Sequence, residues 1–173
     1  MKRKQRGFSL IELLIVVAII LIIAAMAIPS LLHARIAADE ASAVSSIRAI
    51  NTAEISYQTV YPSIGYAANL TNLGGPAPCN PSPTTACLID NTLASASPGS
   101  GSKSGYVFAA TGLTPVNSVN TQYTVGASPL TFNMSGIRNF CANEDGVIRF
   151  NPGTSGSTPV NNTVACLNFT VMP

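Results

Sequence analysis

Charge is scarce in this chain: only 9% of its 173 residues are Asp, Glu, Lys or Arg, and there is a single histidine, His33. A hydrolytic triad needs a base, and His33 stands alone with no G-x-S-x-G anywhere. No C-x-x-C occurs, and His33 is far in sequence from the cysteines, so the residue types for a metal centre are not grouped. Acid runs out early, because Asn151 to Pro173 contains no Asp or Glu. Glu144 and Asp145, adjacent acids late in the chain, read as a charged hairpin tip. The formal net charge of +2 is local, since Lys2, Arg3, Lys4 and Arg6 crowd the first six positions. The remainder carries five basic against seven acidic side chains, which is no footprint of a nucleic-acid binder. No catalytic residue, cofactor or metal is expected, and the chain reads as non-enzymatic.

Glycine and proline are absent where they matter most. The chain has 13 Gly and 12 Pro, yet between Phe8 and Tyr61 there is one Pro, Pro29, and no Gly. Such a stretch, rich in Ala, Ile and Leu, predicts a single long helix over 8–61. At 1.5 Å per residue it spans about 80 Å. A head of the size that follows cannot bury such a rod on every side, so part of it must lie in a membrane or against other copies of itself.

The rod has two chemistries. From Phe8 to Ile28 it is apolar on every face except at Ser9 and Glu12, long enough to cross a hydrocarbon core. Over 29–61 it turns amphipathic, with Ala37, Ala41, Val44, Ile47, Ile50, Ala53, Tyr57 and Val60 forming an apolar stripe. Asp39 and Glu40, near Arg35 at helical spacing, read as a solvated or intersubunit face. The Pro-, Gly- and Ser-rich stretch 62–104 reads as loop. Residues 105–173 carry short β-like runs, Gly105–Ala110, Thr121–Ala127, Gly136–Cys141, Val147–Phe150 and Val164–Val171. Asn143-Glu144-Asp145-Gly146 supplies a tight turn between the third and fourth. The expected class is therefore α+β, a long N-terminal helix packed on a C-terminal antiparallel sheet.

Four cysteines lie beyond the apolar run, an even number that suits disulfides in an oxidising compartment. Three pairings are open. Closure between sequence neighbours favours Cys79–Cys87 and Cys141–Cys166, the second fastening the C-terminal run to the sheet. N-x-[ST] occurs at Asn69, Asn133, Asn161 and Asn168, which chance explains in so Asn-, Ser- and Thr-rich a head. Helix and head packing account for the aromatics Phe8, Tyr57, Tyr61 and Tyr66 more simply than conduction along a fibre does.

Basic residues before an apolar run also fit a secretory signal peptide, and Ala25-Met26-Ala27 is an A-x-A cleavage site; a secreted globular binding domain released after Ala27 is the different-class alternative. Against it stands Glu12, whose carboxylate would cost about 2.5–3.5 kcal/mol at mid-membrane. A disposable segment has no reason to carry it.

Arg6-Gly7-Phe8-Ser9-Leu10-Ile11-Glu12-Leu13-Leu14-Ile15-Val16-Val17-Ala18-Ile19-Ile20 resembles the N-terminus of a type IV prepilin. The resemblance implies a leader over 1–7, cleavage between Gly7 and Phe8 by a membrane-embedded prepilin peptidase, and N-methylation of Phe8. It further implies that Glu12 pairs with the Phe8 amine of a neighbouring subunit during assembly and that Pro29 is the helix-kinking proline. On this reading the chain is an inner-membrane precursor, single-pass, handled by pilus assembly machinery and polymerised with copies of itself into an extracellular type IV pilus. A type II secretion pseudopilin or a minor pilin is the nearest alternative. The major pseudopilin of that system typically binds calcium through acids near its C-terminus, so the acid-free stretch Asn151–Pro173 shifts expectation toward a pilin. Two departures from the family pattern stand out: Phe8–Ile28 contains no Gly, and no second Pro follows between Ser30 and Tyr61.

Overall fold

The computed structural model describes residues 8–173 and divides into two compact units, one up to Arg35 and one from Ile36 to Pro173. Helix α1, Leu10–Val60, runs through both, and Pro29 lies inside it. In the second unit, short helices α2 (Leu70–Leu73) and α3 (Asn91–Ala94) precede β1 (Tyr106–Val116), β2 (Val119–Pro129), β3 (Arg138–Asn143) and β4 (Arg149–Pro152). A last helix, α4 (Thr163–Leu167), leads into β5 (Thr170–Val171). The strands form one antiparallel sheet in the order β1-β2-β3-β4-β5. Every strand thus neighbours the next in sequence, as short connections dictate. The class is α+β, a long helix packed on an antiparallel sheet.

The core lies between one face of α1 and one face of the sheet. Val44, Ile47, Ile50, Ala53 and Tyr57 meet Tyr106, Phe108, Ala110, Tyr123, Val125, Ala127, Phe140 and Ala142, which alternate along β1, β2 and β3 as a period of two requires. Buried tyrosines place their hydroxyls on carbonyls: Tyr57 Oη donates to Pro83 O at 2.7 Å and Tyr106 Oη to Arg138 O at 2.9 Å. The sheet's other face is small and polar (Thr124, Gly126, Ser128, Asn139, Cys141 and Asn143), and backbone at Val160 lies so close over Gly126 that a Cβ there would collide with it.

Several elements differ from the sequence expectation. Ala37, Ala41 and Val60 are exposed, and the buried face is instead completed by Ile36, Glu40, Ala43, Ser46, Asn51 and Glu54. The reason is chemical: at Glu40 and Glu54 the head offers backbone N–H donors rather than carbon, so carboxylates fit where an apolar stripe was expected. Stretch 62–104 is not loop alone. It contains α2 and α3, whose Leu70, Leu73 and Leu93 join the core, and Asp90 caps α3 by accepting the Leu93 N–H at 2.8 Å. β1 and β2 are longer than the apolar runs and join through Asn117-Ser118, both at positive φ (51° and 68°), a two-residue hairpin turn without glycine. Val147 stays outside β4 because the Asp145 side chain accepts its N–H at 2.9 Å and prolongs the turn. Most of Val164–Val171 is helix and turn, since Asn162 caps α4 by accepting the Ala165 N–H at 2.8 Å.

Glu40 is the strongest link between α1 and the sheet. It is 3% exposed, and Oε1 accepts the Ile137 and Arg138 N–H groups at 3.0 and 3.1 Å. Its Oε2 receives Arg138 Nε and Nη2 at 2.8 and 2.5 Å in a two-pronged ion pair. The guanidinium also lies 5.5 Å from the ring centroids of both Phe140 and Phe150. Glu40 is therefore not the solvated or intersubunit charge expected from its spacing to Arg35; its partners lie nearly a hundred residues away. Glu40→Ala leaves two backbone donors and a guanidinium without their acceptor and is expected to cost about 2–4 kcal/mol. Arg138→Met keeps the two backbone bonds and should cost less. Denaturant unfolding of the detergent-solubilised chain measures both, and equal losses would refute the role given to the backbone donors.

Candidate functional site

The candidate site is the first turn of α1 and the apolar surface behind it. Among the described residues from Leu10 to Ile28, every large apolar side chain is exposed. α1 is long and apolar enough to cross a membrane by length and composition. Ser9 and Glu12 begin it. The Ser9 carbonyl accepts the Glu12 and Leu13 N–H groups at 3.1 and 3.3 Å, and the Glu12 side chain turns back so that Oε2 accepts the Ser9 N–H at 3.0 Å. This is the carboxylate half of an S-x-x-E capping box, and it puts a negative group at the positive end of the helix. Its sequence signal is Ser9-Leu10-Ile11-Glu12, a serine followed three residues later by a glutamate ahead of an apolar run.

Phe8 stands at the end of this turn, 77% exposed. Phe8 and Glu12 are thus gathered within one helical turn, with one carboxylate oxygen on Ser9. Gly7, the expected leader end, lies outside the described residues. Pro29 has no N–H to donate to Ala25 O, so one rung of the helical ladder is missing there while the helix continues on both sides. Ala27, the alternative cleavage position, is exposed and inside the same helix.

The second unit uses its charges for structure. Lys103 Nζ meets Asp90 Oδ2 at 2.9 Å, Arg149 Nη2 meets Asp145 Oδ2 at 2.6 Å, and Arg138 meets Glu40. The hydrogen bond from Lys103 holds the Asp90 carboxyl below its ordinary range, and that from Arg149 does the same for Asp145. Arg149 spans the turn that Asp145 and Gly146 make, with Gly146 at φ 71°. Among the described residues no group of three His, Cys, Asp or Glu side chains is arranged to hold a metal ion. The cysteines close as Cys79–Cys87 and Cys141–Cys166, with Cα separations of 6.0 and 5.8 Å. The first bridge cinches the proline-rich segment. The second ties α4 to β3, so that 153–168 crosses the polar face of the sheet between two fixed points.

With this geometry in view, comparison with known proteins is informative at the same end of the chain. The family model described as the prokaryotic N-terminal methylation motif matches residues 2–28. The type II secretion system core protein G of Vibrio cholerae serotype O1 is 39% identical over 83 residues, 45% of this chain and 57% of that protein. The protein of the same name from Dickeya chrysanthemi is 38% identical over 52 residues, 30% of this chain and 34% of that protein. The similarity thus spans little more than half of the first relative and a third of the second. No solved structure matches significantly.

The two bridges make separable contributions. Loop-closure entropy assigns about 3.5 kcal/mol to the bridge at separation 25 and about 2.5 kcal/mol to that at separation 8. Replacing Cys141 and Cys166 together by Ala should lower the denaturant midpoint more than replacing Cys79 and Cys87; the reverse order would contradict this reading.

Proposed function

We propose that this chain, which belongs to the superfamily of type IV pilins and pseudopilins through its N-terminal methylation motif and its similarity to core protein G, is a non-enzymatic structural subunit of a helical filament. The observation that carries this reading is an apolar helical surface from Leu10 to Ile28, exposed among the described residues and interrupted by one carboxylate, Glu12. Such a surface is stable only in lipid or against equally apolar helices. It serves the subunit twice, first as the single-pass anchor of an inner-membrane precursor and then as the packed axis of a polymer of identical chains.

Prepilin peptidase cleaves between Gly7 and Phe8, and methylation of the new Phe8 amine follows. The cut creates a cation at the start of the helix, one turn from Glu12. A carboxylate in an apolar setting gains most from a partner of opposite charge brought to it, and an amine from the next subunit supplies that partner at one axial stagger only. Ser9 occupies one oxygen of Glu12 through a hydrogen bond within the chain. The other oxygen is the one that receives the neighbouring amine.

Between filament types, the shared name of the two relatives favours a type II secretion pseudopilus, built with that system's inner-membrane machinery. An extracellular type IV pilus is the second reading. It draws on the acid-free segment Asn151–Pro173, which lacks the carboxylates a C-terminal calcium site would use.

Glu12→Ala is expected to leave cleavage largely intact and to reduce filament yield by an order of magnitude or more, read from sheared material and electron microscopy. Wild-type filament yield from that variant would remove the assembly role given to Glu12. Glu12→Gln, which keeps the hydrogen bond to Ser9 but not the charge, separates capping from pairing: it should assemble as poorly as the Ala variant.

A further inference from the structure

The charged side chains of the second unit are almost all engaged within the chain. Lys103 is held by Asp90, Arg138 by Glu40 and Arg149 by Asp145, while Glu54 is fully buried and Asp39 is engaged too. Among the described residues of this unit, that leaves one exposed cation and one exposed anion outside any ion pair, Arg48 and Glu144.

Arg48 stands on the face of α1 away from the core. Ala41, Ser45, Arg48, Thr52, Ile55 and Thr59 recur every three or four residues and are all exposed, Ile55 to 57%. Thr52 and Thr59 turn their hydroxyls back on the helix, donating to Arg48 O at 3.0 Å and Ile55 O at 2.9 Å, so at those positions the stripe offers methyl groups. The stripe is thus made mostly of small side chains and carries a single charge near its middle.

Glu144 is displayed by a turn with its own supports. The Gly146 N–H donates to Asn143 O at 2.9 Å, and Asp145 is occupied by the Val147 N–H and by Arg149, which leaves Glu144 as the uncommitted carboxylate. A turn already held in place loses little freedom when it is docked. Its height in the head follows from the sheet register. Asn143 pairs with Thr124, the adjacent Tyr123 stacks on Tyr66 with ring centroids 4.6 Å apart, and Ala67 is bonded to Glu54. Glu144 therefore lies toward the later turns of α1, whereas Arg48 is six residues, about 9 Å, before Glu54.

We propose that the face of α1 around Arg48 docks a second copy of this chain, whose Glu144 accepts hydrogen bonds from the Arg48 guanidinium. The proposal rests on the filament reading, in which every copy leaves one membrane in one orientation. In parallel copies, groups at different heights meet only if one copy is shifted along the axis, so the pair selects a stagger and its direction. The contact is heterologous: each copy gives Glu144 to one neighbour and Arg48 to another, and repeating it builds an open polymer. The same chain carries both halves of the charge match, which favours a like copy over an unrelated acidic partner. One such pair is worth little at a wet surface, but it recurs at every subunit, and a wrong stagger leaves both charges without a partner.

The test uses filaments sheared from cells that make them. Arg48→Glu and Glu144→Arg should each lower filament yield at least ~fivefold while cleavage before Phe8 continues, and the double exchange should bring yield back to within about twofold of wild type. In filaments of Arg48→Lys, a carbodiimide should form an amide between position 48 of one chain and Glu144 of the next, seen as covalent multimers and, by mass spectrometry, as the joined peptide. Single variants with unchanged yield, or a double exchange no better than either single variant, would overturn the pairing and leave the filament reading standing. If a single variant does not fold, the crosslink decides alone: the joined peptide supports the pairing, and its absence from Arg48→Lys filaments refutes it. Absence of filaments from the unaltered chain would instead remove the filament reading, and this proposal with it.

Discussion

An apolar helical surface exposed along its length among the described residues is the constraint on which the rest depends. From Leu10 to Ile28 the side chains are aliphatic and bare, so water is the one environment this segment cannot remain in. Lipid and a bundle of like helices are interchangeable solvents for it, both free of polar competition for the backbone. Selectivity between the two cannot come from carbon. It has to come from the one ionisable group in the run, Glu12, whose burial is costly until a cation meets it. The capping bond to Ser9 offsets that cost only in part, and in the proposed filament the neighbouring subunit's amine offsets the rest.

The second half of α1 solves a different problem with the same residue type. Where the helix enters the head, Glu40 reaches two backbone donors and an arginine on β3, and fourteen residues later Glu54 accepts the Ala67 backbone N–H. Both are more than nine-tenths buried, yet they are satisfied in different ways. Glu40 is held by a guanidinium and two backbone N–H groups. Glu54 sits where burial pushes its carboxyl up to about 8. One helix thus carries an ion-paired carboxylate at Glu40 and, at Glu54, a carboxylate held by a backbone donor.

How legible this was in the sequence depended on whether the signal was local. The gap in Gly and Pro between Phe8 and Tyr61 marks α1, and Asp145-Gly146 marks the turn after β3, because each reports on its own backbone. The stripe on α1 was only half legible: Val44, Ile47, Ile50, Ala53 and Tyr57 face the core, but Ala37 and Ala41 do not, since Ala is small enough to sit on either side. The burial of Glu40 could not be read, because its partners are Ile137 and Arg138 and nothing near Glu40 announces them. α4 was hidden by β-branched residues in Val164–Val171, where the Asn162 cap and the pull of Cys166 toward Cys141 outweigh strand propensity. The Asn117-Ser118 turn was missed for lack of a glycine, although Asn tolerates positive φ. At the candidate site the capping box was legible in four consecutive positions, whereas the partner proposed for Glu12 belongs to a second chain and is not a property of one chain at all.

The central claim is that the apolar helix is kept and polymerised rather than discarded. Intact mass and N-terminal sequence of the protein sheared from cells test it most directly. The account predicts a chain that begins at N-methylated Phe8 and loses two disulfides on reduction. A chain that begins at Ile28 would contradict it, since the surface that drives assembly would then be absent from the mature protein.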